Sequence, residues 1–405
     1  MRLLVVMLVL VVVVFFWSGM DVPLKERMET LRWIALGLAT LVAIVMSLRR
    51  RAALSFGRLH LWAGLSVATA LLSYLVSANA ELTLLKSVAF GTLLVFAATG
   101  ARLVAAASPE GFRRVVSAVA EATVWLMTPA YAAGIPVLGH QNSMGAIIGV
   151  LVLPVILLDI LHARPGRARL RKIVALGLAA GWLTFSLARA ALLAAGLAVA
   201  AVLFFSRRYR LLVGGTAVVA VVVLLAVVVA PELWEAVLEN VVFKDQVRGN
   251  VLSSRVPVWE RSLQAIEQEP WFGSGFGVTR GLSEWWRFSA STEGLEFERG
   301  SSYLALVEGV GVMGTIPFAL LLAAIARAVV HGLRTLARGP SLSATIAVAL
   351  VAALGHAAFE AWLFSPGYHL CLMFWMLAFI LADQWHAEAP ATVPRMAARA
   401  VHARR

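Results

Sequence analysis

The stretch RPGRARLRKIVALGLAAGWLTFSLARAALLAAGLAVAAVLFFSRRYR, residues 164–210, decides how this chain folds. Between Ile173 and Phe205 the only charge is Arg189. Dense cationic runs flank it: Arg164, Arg167, Arg169, Arg171 and Lys172 before, Arg207, Arg208 and Arg210 after. As one helix the apolar run would be ~50 Å long at ~1.5 Å per residue, against a hydrocarbon core of ~30 Å. One span would also put strongly basic loops on both sides of the membrane, against the positive-inside tendency. Two short spans of ~17 residues remove both conflicts and leave Arg189 at a turn near the outer face. A charge at that depth needs an anion, which makes Arg189 a candidate functional residue.

The same reasoning extends along the chain. Of its 405 residues 61% are hydrophobic and 14% charged, and the mean hydropathy is +0.86, the composition of a polytopic membrane protein. The expected fold is all-α, with about twelve membrane spans near 3–20, 31–48, 59–77, 87–107, 115–134, 143–163, 173–188, 190–206, 211–230, 301–328, 341–364 and 368–385. Met1 to Met20 has a long apolar part and no small-x-small cleavage pattern after Trp17 and Ser18, so it is expected to stay as the first span. Starting inside, the parity puts every strongly basic loop in the cytoplasm. The net charge of +13 sits mostly in those short loops, where it sets orientation and favours anionic lipid headgroups rather than nucleic acid. Expected regions are 1–138 with the N-terminal spans, 139–330 as a core with an outer loop at 231–300, and 331–405 with the last spans and a basic cytoplasmic tail.

The outer loop departs from the pattern. Long loops are often functional, and this one mixes acids, arginines and the tryptophans Trp234, Trp259, Trp271, Trp285 and Trp286. Those tryptophans suit a membrane interface, or simply a passive aromatic belt. Ser254 to Glu269 has the signature of a short amphipathic helix: a serine cap, Pro257 in the first turn, and Trp259, Leu263 and Ile266 on one face. Pro270 ends it, and Gly273, Gly275 and Gly277 make a tight turn. Arg255 would then lie where a helix presents free N–H groups, a natural anion site.

Three sets of residues are candidates for chemistry. Arg189 and Arg255, with Arg261, Arg280, Arg287 and Arg299 in reserve, suit bidentate recognition of phosphate. Each also has a plainer role open to it, an ion pair or lipid contact. His140 could move a proton or touch phosphate, whereas Asn142 could cap the next span. Glu298, Arg299 and Tyr303 lead into the tenth span, where Glu308 is a costly intramembrane carboxylate, followed by Gly309, Gly311 and Gly314 suited to close packing. His356 and Glu360 stand four apart on one expected helix face, without an evident third ligand for zinc. His369 is a further polar residue in an apolar run. The single cysteine, Cys371, supports neither a disulfide nor a cysteine-rich metal site. Asp21, Asp159, Asp245 and Asp383 are scattered, so no carboxylate pair for magnesium is apparent, and there is no Walker-type loop. No metal and no cofactor is expected.

In these residues the chain resembles the O-antigen ligase and O-antigen polymerase family of bacterial envelope proteins, from about Gly139 to Gly314. Gly139-His140-Gln141-Asn142 is similar to the family's Gly-x-x-Asn turn. Ser186-Leu187-Ala188-Arg189-Ala190 is similar to its Ser-Arg-Gly-Ala turn, with Ala188 in place of the serine. Ser254-Arg255, Trp259 and Glu269 to Gly277 are similar to its outer-loop helix and Pro-x-x-Gly-x-Gly exit, and Ser302-Tyr303-Leu304 with Glu308, Gly311 and Gly314 to the next span. The resemblance implies a multi-pass protein of the inner membrane with its active side facing the periplasm or cell exterior. It implies a glycosyltransferase with a polyprenyl-diphosphate-linked glycan as donor, a glycan or lipid as acceptor, and other polysaccharide-assembly proteins as partners. Arg189 and Arg255 would grip the donor diphosphate, with no metal needed. His140, Asn142, Arg261, Arg299, Tyr303 and Glu308 would line the substrate site. Ligases carry a His-Asn pair where Gly300 and Ser301 stand here. Glu298 is then the expected base, and a polymerase or exopolysaccharide-type relative is favoured over a strict ligase. A polytopic transporter or flippase is the alternative, which would need a substrate site near the midplane. A non-enzymatic scaffold for envelope assembly would instead tolerate replacement of both arginines.

Overall fold

The computed structural model describes residues 1–19, 25–50, 56–135, 137–138, 141–239, 255–278 and 300–388. Among them the regular structure is helical throughout. In chain order the helices are α1 (Arg2–Ser18), α2 (Lys25–Arg50), α3 (Arg58–Leu72), α4 (Ala80–Phe96), α5 (Arg102–Ala107), α6 (Pro109–Ala132), α7 (Gln141–Ile147), α8 (Leu153–His162), α9 (Arg167–Phe185), α10 (Arg189–Phe205), α11 (Tyr209–Val229), α12 (Pro231–Val237), α13 (Val256–Gln268), α14 (Ser302–Thr335), α15 (Leu342–His356) and α16 (His369–Glu388). Seven helical stretches of the described residues are long and apolar enough to cross a membrane, and α1, α10, α15 and α16 are shorter apolar helices.

Composition explains which helices lie inside. α15 is apolar on every side and rich in alanine, and from Leu342 to Leu350 every residue is buried. It packs against α10, α14, α16 and α8. α10, which packs against it, buries Ala191, Ala194, Ala195, Ala198 and Val202, small side chains that let neighbouring backbones approach. α11 is the opposite case, with no buried residue among its valines and leucines. A helix this apolar with no protein cover suits lipid on all sides but one.

Charges gather at one end of the bundle in pairs. Arg102 is buried and bonded to Asp383 and His60. Lys172 and Arg113 hold Asp159, and Arg171 holds Glu121. Part of the basic excess expected to set orientation is therefore neutralised inside the fold. Two of the aspartates that look scattered in sequence are its counter-charges.

The structure corrects the eleventh expected span. α15 ends at His356, and residues 357–368 form a run of turns before α16. His356 and Glu360 do not share a helix face, and the His356 ring accepts a hydrogen bond from Trp362 Nε1 at 2.8 Å.

α14 contains the feature that organises the opposite end. Its path breaks at Gly311, with φ 68° and ψ 177°. A break inside a bundle frees carbonyls and N–H groups that must be bonded again. Residues 270–278 do this. The carbonyls of Glu308 and Gly309 accept from Ser274 N (3.0 Å) and Gly275 N (2.8 Å). Val312 N and Met313 N donate to the carbonyls of Pro270 (2.8 Å) and Trp271 (3.2 Å). Phe276 anchors the inserted loop among Phe90 and Phe318, themselves packed on Phe364 and Trp375. Lys86 Nζ donates to the Gly277 carbonyl at 2.7 Å.

A side chain at 311 would meet the Trp271 carbonyl and would have to occupy a backbone region close to glycine-only. Gly311→Ala should cost at least about 1–3 kcal/mol and lower the thermal midpoint of the protein in detergent. Gly214→Ala in α11, where an added Cβ meets nothing within 4 Å, should leave it unchanged or slightly higher. Equal midpoints for the two variants would contradict the inserted-loop account.

Candidate functional site

Arg189 is placed by a tight turn. α9 ends at Phe185, Ser186 Oγ donates to the Leu183 carbonyl (2.6 Å) and accepts from Ala188 N (3.2 Å), and Leu187 takes φ 52°. α10 then starts at Arg189 itself. The expected turn between two short spans is present, with the arginine at its exit. Two glycines let a neighbouring helix press against it. A Cβ at Gly145 would collide with Ala188 and Ser186, and one at Gly149 would come within 2.6 Å of the Ala191 carbonyl. Beside them, Pro154 has no N–H to give the preceding turn, and the helix widens to π form over Ile148–Val152. Arg189 thus sits at the N-terminal end of α10, where the helix dipole already adds positive potential.

Arg255 arrives from a distant part of the chain. α13 begins at Val256 with Pro257 in its first turn, one or two residues from the expected bounds. Its inward side runs through Trp259, Ser262 and Ile266, while Leu263, expected on the apolar face, is 48% exposed. Ser262 is the contact residue: its Oγ donates to Glu308 Oε2 at 3.1 Å. Trp259 Nε1 donates to the Gly300 carbonyl at 2.9 Å. Gly300 lies so close that a Cβ there would stand 2.8 Å from the indole nitrogen and 3.5 Å from Arg255 Cδ. These contacts fix Arg255 at the start of α13. Burial weighs most on the Arg189 charge, and the charge of Arg255 adds to it. Two like charges in mutual reach are an arrangement that invites an anion.

The anion present is Glu360, whose carboxylate pairs with the Arg255 guanidinium. Both side chains are 17% exposed. The turn that carries Glu360 is tied to the start of α14. Ser302 N donates to the Ala357 carbonyl (2.9 Å), Ser302 Oγ donates to the Glu360 carbonyl (2.6 Å) and accepts from Leu363 N (3.0 Å). Trp375 Nε1 holds the Leu363 carbonyl at 2.9 Å.

The other candidates fall in different places. Glu308 is buried and faces α13 through Ser262. Tyr303 turns inward, its hydroxyl donating to the Leu354 carbonyl at 2.8 Å. Arg261 lies on the exposed side of α13, with Nε donating to the Pro257 carbonyl at 3.3 Å. Asn142 stands in the first turn of α7 rather than ahead of it. The neighbouring Ser143 accepts from the Tyr368 hydroxyl at 3.5 Å. His140, Glu298 and Arg299, with Arg280 and Arg287, lie outside the described residues. The sequence sets Glu360 on a helix face with His356, not beside an arginine. The cost of such a charge is the signal that it has a cationic partner.

Residues 174–319 match the O-antigen ligase family. The matched segment is less than half of the chain and contains both arginines, α13, the inserted loop and the break in α14. It supports placing the chain in the O-antigen ligase and polymerase family and, in general terms, a membrane glycan-processing function. No curated protein matches the chain.

Ser302 links α14 to the Glu360 turn, so Ser302→Ala leaves the Leu363 N–H without its acceptor. The expected cost is about 1–3 kcal/mol. Amide hydrogen exchange should quicken at residues 359–364 while the centre of α15 stays protected. Unchanged exchange in that segment would show that the serine does not hold it.

Proposed function

We propose that the chain is a membrane glycosyltransferase of the O-antigen ligase and polymerase type. It moves a glycan from a polyprenyl diphosphate to a glycan or lipid-glycan acceptor on the periplasmic or outer side of the inner membrane. The observation that carries this reading is the placement of Arg189 at the head of α10 and Arg255 at the head of α13, near enough for the charge of one to act at the other, with Arg255 paired to a carboxylate.

Guanidinium groups bind phosphate oxygens in a bidentate fork and stay charged at every physiological pH. In transfer, the acceptor hydroxyl oxygen bonds to the anomeric carbon and the bond from that carbon to the diphosphate oxygen breaks. Negative charge grows on the departing diphosphate. Two fixed cations near it stabilise that charge without waiting for solvent to reorganise. The guanidinium pair supplies this positive charge from the protein alone. The basic runs of the short loops, which tend to stay on the cytoplasmic side, support this orientation. Gly300 and Ser301 stand where ligases carry His-Asn, which favours a polymerase or exopolysaccharide-type acceptor over the ligase acceptor.

Arg189→Ala and Arg255→Ala should each lower glycan transfer from a lipid-linked oligosaccharide by about a hundredfold or more. Arg255→Lys, which keeps charge but loses the fork, should fall between. The assay is chain extension or acceptor glycosylation by purified protein, with thermal melting to check the fold. Full turnover in both alanine variants would end this reading.

A further inference from the structure

We infer that Glu360 is an internal stand-in for the donor diphosphate and, once displaced, the base that takes the acceptor's proton. This deepens the proposal above and rests on its assignment of Arg189 and Arg255 to the diphosphate. Transfer needs a base for the acceptor's proton, and Glu298, the acid that the sequence favours, lies outside the described residues.

The pair is built for exchange rather than permanence. Arg255 and Glu360 are each 17% exposed, sheltered enough to attract strongly yet open to an incoming group. A carboxylate brings one negative charge to a guanidinium whose positive charge also acts at Arg189. A diphosphate brings more, and its oxygens suit a guanidinium fork, so it competes with Glu360 for Arg255.

What happens to Glu360 afterwards is set by its backbone. Its carbonyl is held by Ser302 Oγ, and three residues on, Leu363 is held by Ser302, Trp375 and Cys371 Sγ, the last at 3.2 Å from its carbonyl. The residue therefore cannot leave when its side chain is released. A freed carboxylate remains beside the leaving group's binding cations, at the end of the bundle where the acceptor must enter. As the acceptor hydroxyl attacks the anomeric carbon, its proton passes to a Glu360 oxygen, and the electron pair of the breaking bond leaves with the polyprenyl diphosphate. Donor binding thus generates the base, and an empty site keeps it masked.

The test separates binding from transfer. Purified full-length protein in detergent is titrated with farnesyl diphosphate, and transfer is assayed with a lipid-linked oligosaccharide. Glu360→Gln keeps the shape of the side chain and removes its charge. It should bind farnesyl diphosphate three- to tenfold more tightly than the native chain while transfer falls a hundredfold or more. Glu360→Asp, which preserves the charge and guards against a folding defect, should bind near the native level and transfer at least tenfold more slowly. Native transfer by Glu360→Gln would overturn the base. Loss of both binding and transfer in Glu360→Gln would also overturn it, reducing the residue to a strut for Arg255. Failure of the native protein to bind farnesyl diphosphate at all would instead bring down the diphosphate site itself.

Discussion

A helix that breaks inside a bundle must have its freed backbone groups bonded by protein. At Gly311 this constraint is met by residues 270–278, which take up the carbonyls of Glu308 and Gly309 and offer their own to Val312 and Met313. The rest of the site follows from that insertion. The loop fixes the end of α13, Ser262 and Trp259 fix its inward face, and Arg255 at its head is brought toward Arg189. A segment that looks like a surface loop in the sequence is in part a structural member of the bundle.

The two arginines solve the same electrostatic problem from opposite directions. Arg189 is held by a turn that small residues allow to pack tightly, and its position at a helix N-terminus makes the local potential more positive. Arg255 is held by contacts along α13. Neither position is a comfortable place for a cation, and at Arg255 the Glu360 carboxylate answers the charge. A buried ion pair of this kind adds little to stability, because desolvation offsets most of the attraction. Its presence is better explained by what it prepares than by what it holds together.

Much of the fold was legible because it follows from hydropathy and charge. The length of 173–205 and the arginines on both sides required a turn at Arg189, and the turn is there. Pro257 and Pro270 bounded α13 to within two residues. The end of α15 was not legible. Residues 357–364 are almost as apolar as the helix before them, so hydropathy runs through the turn without a mark, and Glu360 was set beside His356 instead of Arg255. That partner is 105 residues away along the chain. Periodicity reports neighbours within an element, whereas this contact depends on how two elements dock. The insertion at Gly311 was half legible. The glycines signalled close approach, but nothing local named the loop that approaches.

The central claim is that Arg189 and Arg255 form one site for a lipid-borne diphosphate. A cryo-EM structure of the protein with a polyprenyl diphosphate bound tests it most directly. The account predicts density for the two phosphates between the guanidiniums of Arg189 and Arg255, with the Glu360 carboxylate moved off Arg255. Phosphates bound elsewhere in the bundle, with the Arg255–Glu360 pair intact, would contradict it.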